Sequence, residues 1–94
     1  MPRFLVKRIW GESSEAAMME NGRRSRRVGE QFFPEIVWEH SHVTVDPDGR
    51  VVSFCVYQAD DPDILKKHGT AVGGHFIDEI FEISGDISPG DFVL

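Results

Sequence analysis

A chain of 94 residues makes one domain, and at this size folding buries only about 60 to 65 % of the surface that the unfolded chain exposes. A second copy of the chain would add useful burial. The single cysteine excludes an intramolecular disulfide, and Phe4-Leu5-Val6 is too short an apolar run for a signal peptide or a membrane span, so a reducing, cytoplasmic setting is expected. A formal charge of −6 argues against nucleic acid and membrane as main partners. What basic character there is lies in residues 1–45, with seven basic and six acidic groups against three and ten in residues 46–94.

In chain order, Arg3 to Trp10 carries apolar residues on both sides, Phe4, Val6 and Trp10 against Leu5 and Ile9, which reads as a central strand. Gly11 ends it. Ser13-Ser14-Glu15 offers a helix N-cap, and a helix is expected from about Ser14 to Gly29 with Ala17, Met18 and Val28 as its core positions. Four guanidiniums in Arg23-Arg24-Ser25-Arg26-Arg27 read either as a phosphate patch or as a solvated helix face. The solvated face is preferred, because no aromatic residue is interleaved.

Two extended runs follow, Ile36 to Val45 and Arg50 to Ala59, with the turn residues Asp46-Pro47-Asp48-Gly49 between them. If Asp46 faces Gly49, then Val43 meets Val52, Ser41 meets Phe54, His40 meets Cys55 and Trp38 meets Tyr57. Alternation then gives two unlike faces. One carries Val37, Val43, Val45, Val52, Phe54 and Val56 and is expected beneath helices. The other carries Trp38, His40, His42, Thr44, Val51, Ser53, Cys55 and Tyr57.

Asp61-Pro62 is a strong helix start, and Lys66-Lys67-His68 before Gly69 suits a helix end, with extension as far as Val72. Phe76 to Ile83 alternates as a last strand. The order strand, helix, strand, strand, helix, strand, with right-handed crossovers, gives a ferredoxin-like α+β fold: a four-stranded antiparallel sheet with two helices on one face. Residues 1–84 form that domain and 85–94 a tail whose apolar end, Phe92-Val93-Leu94, is expected to dock. A bare sheet face bearing Trp38 and Tyr57 calls for a second subunit, hence a homodimer of the dimeric α/β-barrel type with a cavity between sheets.

His40 and His42, two apart on a strand, leave the same face about 6 to 7 Å apart. Their rings can converge on one metal ion, with Cys55 as a thiolate and His68 as a further donor; His75 is less well placed. Each also has a plain reading: solvated histidines on an edge strand, a cysteine acting as a small buried hydrophobe, a helix-end cation. No dense ligand motif is present. Trp38 and Tyr57, with Phe81, would wall a pocket for a small-molecule ligand or cofactor.

Trp38, Ser41 and Val43, then Phe54-Cys55-Val56-Tyr57 with Ala59, then Pro62, Ile64 and His68-Gly69, together with the opening Met1-Pro2-Arg3-Phe4-Leu5-Val6, resemble a family of small nickel-binding-protein-like domains. The resemblance implies a ferredoxin-like, dimeric α/β-barrel protein that binds nickel, and Trp38, Cys55, Tyr57 and His68 fall on its motif. The leading expectation is therefore a non-catalytic protein holding nickel or another divalent transition metal. The alternative is a small-molecule binder or an enzyme of the dimeric α/β-barrel type, using the inter-subunit cavity with His40 or His68 moving a proton.

Overall fold

A computed structural model describes residues 1–94. Strand β1 (Arg3–Gly11) leads to helix α1 (Glu15–Phe32), the hairpin β2 (Val37–Val45) and β3 (Val51–Gln58), helix α2 (Pro62–Val72) and strand β4 (Phe76–Ile83). The strands form one antiparallel sheet in the order β2-β3-β1-β4. This is the expected ferredoxin-like arrangement, with β1 central.

Local chemistry accounts for the boundaries. Ser14 caps α1 by accepting from the Ala17 amide at 3.1 Å, and Asp61 caps α2 by accepting from Asp63 and Ile64 amides, with Pro62 needing no donor in the first turn. Helix α1 runs three residues beyond Gly29 to Phe32, because no proline interrupts it until Pro34.

The hairpin departs from the expected register. Asp46 pairs with Arg50 rather than Gly49, and its carboxylate accepts from the Asp48 and Arg50 amides at 3.0 and 2.8 Å. Gly49 sits at φ 82°, so the turn is one residue longer and closes through a left-handed position that glycine takes without strain. Val43 therefore faces Ser53, Ser41 faces Cys55 and His40 faces Val56. A bulge at Glu39 restores the register, and Trp38 faces Tyr57 as expected.

The helices also cover the other face from the one expected. Phe4 and Val6 on β1 lie opposite Tyr57 and Cys55, and these four join Ala59 and Leu65 of α2 in the core. Val52, Phe54 and Val56 lie on the helix-free face with Leu5, Ile9 and Phe81, of which Phe81 is 47 % exposed. Tyr57 is thus buried under helices rather than presented to a second subunit. Counting valines on β2 and β3 misassigned the faces; β1 decides, because its core-side residues must share a face with Tyr57 and Cys55.

The two helices are not equally packed. Helix α2 buries Leu65, His68, Gly69 and Val72, whereas α1 buries only Ser25, and Ala17 is exposed. The tail carries a 3-10 turn at Pro89–Asp91, and Ile87, Phe92, Val93 and Leu94 stay exposed instead of docking on their own chain.

Candidate functional site: a buried arginine beneath the helices and a histidine pair on the opposite face

Arg8 lies on β1 in line with Phe4 and Val6, and it is only 1 % exposed. Its guanidinium is held by neutral groups alone. Nη2 donates to the Tyr57 hydroxyl at 3.1 Å and to His68 Nδ1 at 3.2 Å, and Nη1 donates to His75 Nε2. No ion pair of the chain includes it, and its Nε–H has no acceptor.

The two histidines are oriented by backbone carbonyls. His68 Nε2 donates to the Ser25 carbonyl at 3.1 Å and His75 Nδ1 to the Gly73 carbonyl at 2.9 Å, which leaves each opposite nitrogen free to accept from Arg8. Burial pushes both imidazoles below their ordinary range, and the neighbouring guanidinium adds to that, although each carbonyl bond pulls the other way. Burial likewise drives the Tyr57 phenol up. His75 also stacks on Trp10 with ring centroids 4.1 Å apart.

Because α1 is lightly packed, it leaves space over the β2–β3 end of the sheet. A cavity of about 450 Å³ there is lined by Arg8, Trp10, Met18, Trp38, Cys55 and Tyr57, among others. Trp38 also borders a larger cleft of about 670 Å³ that reaches Glu30, Pro34, His40 and His68. Trp10 Nε1 donates to Ser53 Oγ at 2.9 Å and Trp38 Nε1 to Ser41 Oγ at 2.9 Å, so both indoles are fixed against the sheet.

The residues singled out from sequence divide between the two faces. Trp38, Cys55, Tyr57 and His68 come together on the helix side, with the Cys55 thiol buried and 3.5 Å from Ser53 Oγ. His40 and His42 lie opposite Val56 and Phe54 on the helix-free side, exposed, with ring centroids 5.3 Å apart at 79°. The expected convergence of His40 with Cys55 does not occur, because the longer turn and the bulge reverse the parity of β2 after Glu39. No group of three or more His, Cys, Asp or Glu side chains comes together to hold a metal ion.

Sequence reasoning missed Arg8 and undervalued Trp10 and His75. The available signal was a charged residue in step with Phe4 and Val6 on a central strand, a position where a cation is buried only with partners. The arginine run on α1 is absorbed within the chain: Arg23 and Arg27 pair with Glu20, Arg26 with Glu30, and Arg24 donates to the Val72 and Gly73 carbonyls at the end of α2.

A βαββαβ chain with an antiparallel β2-β3-β1-β4 sheet and both helices on one face is a ferredoxin-like α+β protein. Residues 4–83 match the family described as nickel responsive protein SCO4226-like, and the chain belongs to that family. Its fold is similar to the crystal structure of SCO4226 from Streptomyces coelicolor A3(2), with a TM-score of 0.69 and 15 % sequence identity over 90 % of this chain and 99 % of that one. A search of curated proteins finds no match. No helix is long and apolar enough to cross a membrane.

Proposed function

We propose that this protein is a non-catalytic binder of nickel or a similar divalent transition metal, that His40 and His42 supply its imidazole ligands, and that it works as a homodimer in the cytoplasm. The observation carrying the metal reading is the spacing of the two rings. Imidazoles bound to one ion at about 2.0 to 2.1 Å place their centroids roughly 4.5 to 5.3 Å apart, for angles from square to tetrahedral. The rings of His40 and His42 are 5.3 Å apart before any ion is added. Two imidazoles suit nickel, copper and zinc alike, and the family's description as nickel responsive favours nickel.

The other two candidate donors fit less well. His68 spends both nitrogens on Arg8 and Ser25, and Cys55 faces the core through the opposite side of the sheet. Remaining coordination positions would fall to water or to a second copy of the chain.

Dimerisation is supported by the helix-free face, where Leu5, Ile9, Phe54 and Phe81 present apolar surface that a second sheet would cover. Nickel added to tag-free protein should raise its melting temperature stoichiometrically, and His40→Ala should remove the effect. An absence of binding by calorimetry would discard the proposal.

A further inference from the structure

We propose that the cavity between α1 and the sheet binds a small organic monocarboxylate, its charged end on Arg8 and its apolar body among Trp10, Trp38 and Tyr57. Arg8 carries a buried, uncompensated charge. A guanidinium is a fixed cation with five N–H donors, and burying one without an anion costs several kcal/mol. Arg8 meets three neutral acceptors and no carboxylate, and its Nε–H is left without any partner. Both facing imidazoles are oriented to accept, so neither can supply negative charge.

The charge balance selects the ligand class. One buried positive charge is neutralised by one negative charge. Arg23 and Arg26, which also border the cavity, are already paired with Glu20 and Glu30. A phosphate dianion would leave a net negative charge in a site walled by indoles, whereas a carboxylate leaves none.

Shape points the same way. About 450 Å³ lies between α1 and the sheet, partly open to solvent and within the range of small-molecule sites. Two indoles, a phenol and the Met18 thioether make walls suited to an aromatic or compact aliphatic body. The site lies on the helix side of the sheet, shares no residue with the His40 and His42 pair, and stands or falls independently of the metal proposal.

The test uses tag-free full-length protein with sodium benzoate and sodium phenylacetate as probes, and benzamide and sodium phosphate as controls, read by melting temperature and by tryptophan fluorescence. Either carboxylate should raise the melting temperature saturably and perturb Trp10 and Trp38, while benzamide and phosphate should not. Arg8→Gln should weaken carboxylate binding by about tenfold or more, since it removes a charge-assisted hydrogen bond.

Gly22→Leu provides a variant that spares Arg8. Gly22 borders the cavity from the middle of α1, and a Cβ there meets nothing within 4 Å, so leucine enters the space and also suits the helix. It should abolish carboxylate binding in a folded protein even if Arg8→Gln does not fold. His40→Ala should leave carboxylate binding unchanged. Absence of binding by either carboxylate, equal binding of benzamide or phosphate, or binding that survives Gly22→Leu would overturn the proposal.

Discussion

Replacing His68 with leucine tests whether the Arg8 cluster holds the two helices to the sheet. The side chain is 3 % exposed and uses both ring nitrogens, accepting from Arg8 Nη2 at 3.2 Å and donating to the Ser25 carbonyl at 3.1 Å. A hydrogen bond to a charged group contributes about 1.5 to 3 kcal/mol and a neutral one about 0.5 to 1.5, and leucine returns some of this through apolar burial. The net cost should be about 2 to 3 kcal/mol. With an m-value of about 1 kcal/mol/M, urea denaturation followed by tryptophan fluorescence should show a midpoint lower by about 2 to 3 M.

The same residue sets a pH dependence. The folded imidazole is held below its ordinary value of 6.5, so around that pH the unfolded chain binds more protons than the folded one. Stability is therefore full above about 6.5 and falls as pH drops through that value until the folded imidazole itself titrates, with a slope no steeper than about 1.4 kcal/mol per pH unit for one histidine. His75 is lowered in the same direction but is only partly buried and contributes less. His68→Leu should flatten the profile between pH 7 and 5.5. A variant as stable as wild type to within about 0.5 kcal/mol, or a wild type that gains stability over that range, would refute the reasoning.

Other substitutions probe the contact of α2 with the sheet, the hairpin turn and the helix-free face. Gly69→Ala should cost about 1 to 3 kcal/mol in a denaturation experiment, because the new Cβ would meet Ile77 Cδ1 at 2.7 Å and Arg8 Nη1 at 3.2 Å where α2 lies against β4 and β1. Asp46→Ala should lower the melting temperature by removing the acceptor for the Asp48 and Arg50 amides and the partner of the Arg50 guanidinium. Phe81→Glu, on the helix-free face, should make the chain sediment as a monomer with an unchanged circular dichroism spectrum; a dimer that persists would move the interface elsewhere.

The topology was legible because its signals are local. Ser14 and Asp61 as caps, Pro62 in the first turn of α2, Gly73 after it and the alternation of Phe76 to Ile83 each fix an element end without reference to the rest of the chain. Parity was not legible, since it depends on one residue in the turn and one in the bulge. Asp46 and Gly49 favour a two-residue and a three-residue loop almost equally, and nothing in Trp38-Glu39-His40 marks the bulge. That uncertainty in the turn and the bulge separated His40 and His42 from Cys55, whereas the exchange of the two faces came from weighing the valines of β2 and β3 without β1. Arg8 was hidden for a different reason: its partners Tyr57, His68 and His75 come from β3, α2 and the loop before β4, and only the assembled sheet and helix bring these three neutral groups around it.

On the proposed reading, two imidazoles on the open side of the sheet, and not the thiol or the buried imidazole beneath the helices, take the metal. Isothermal titration of nickel into tag-free protein tests it most directly, comparing wild type with the doubly substituted His40→Ala, His42→Ala chain and with Cys55→Ser. Wild type and Cys55→Ser should each take up about one nickel ion per chain, and the doubly substituted chain none. Uptake that persists without both histidines, or that disappears with Cys55→Ser, would contradict it.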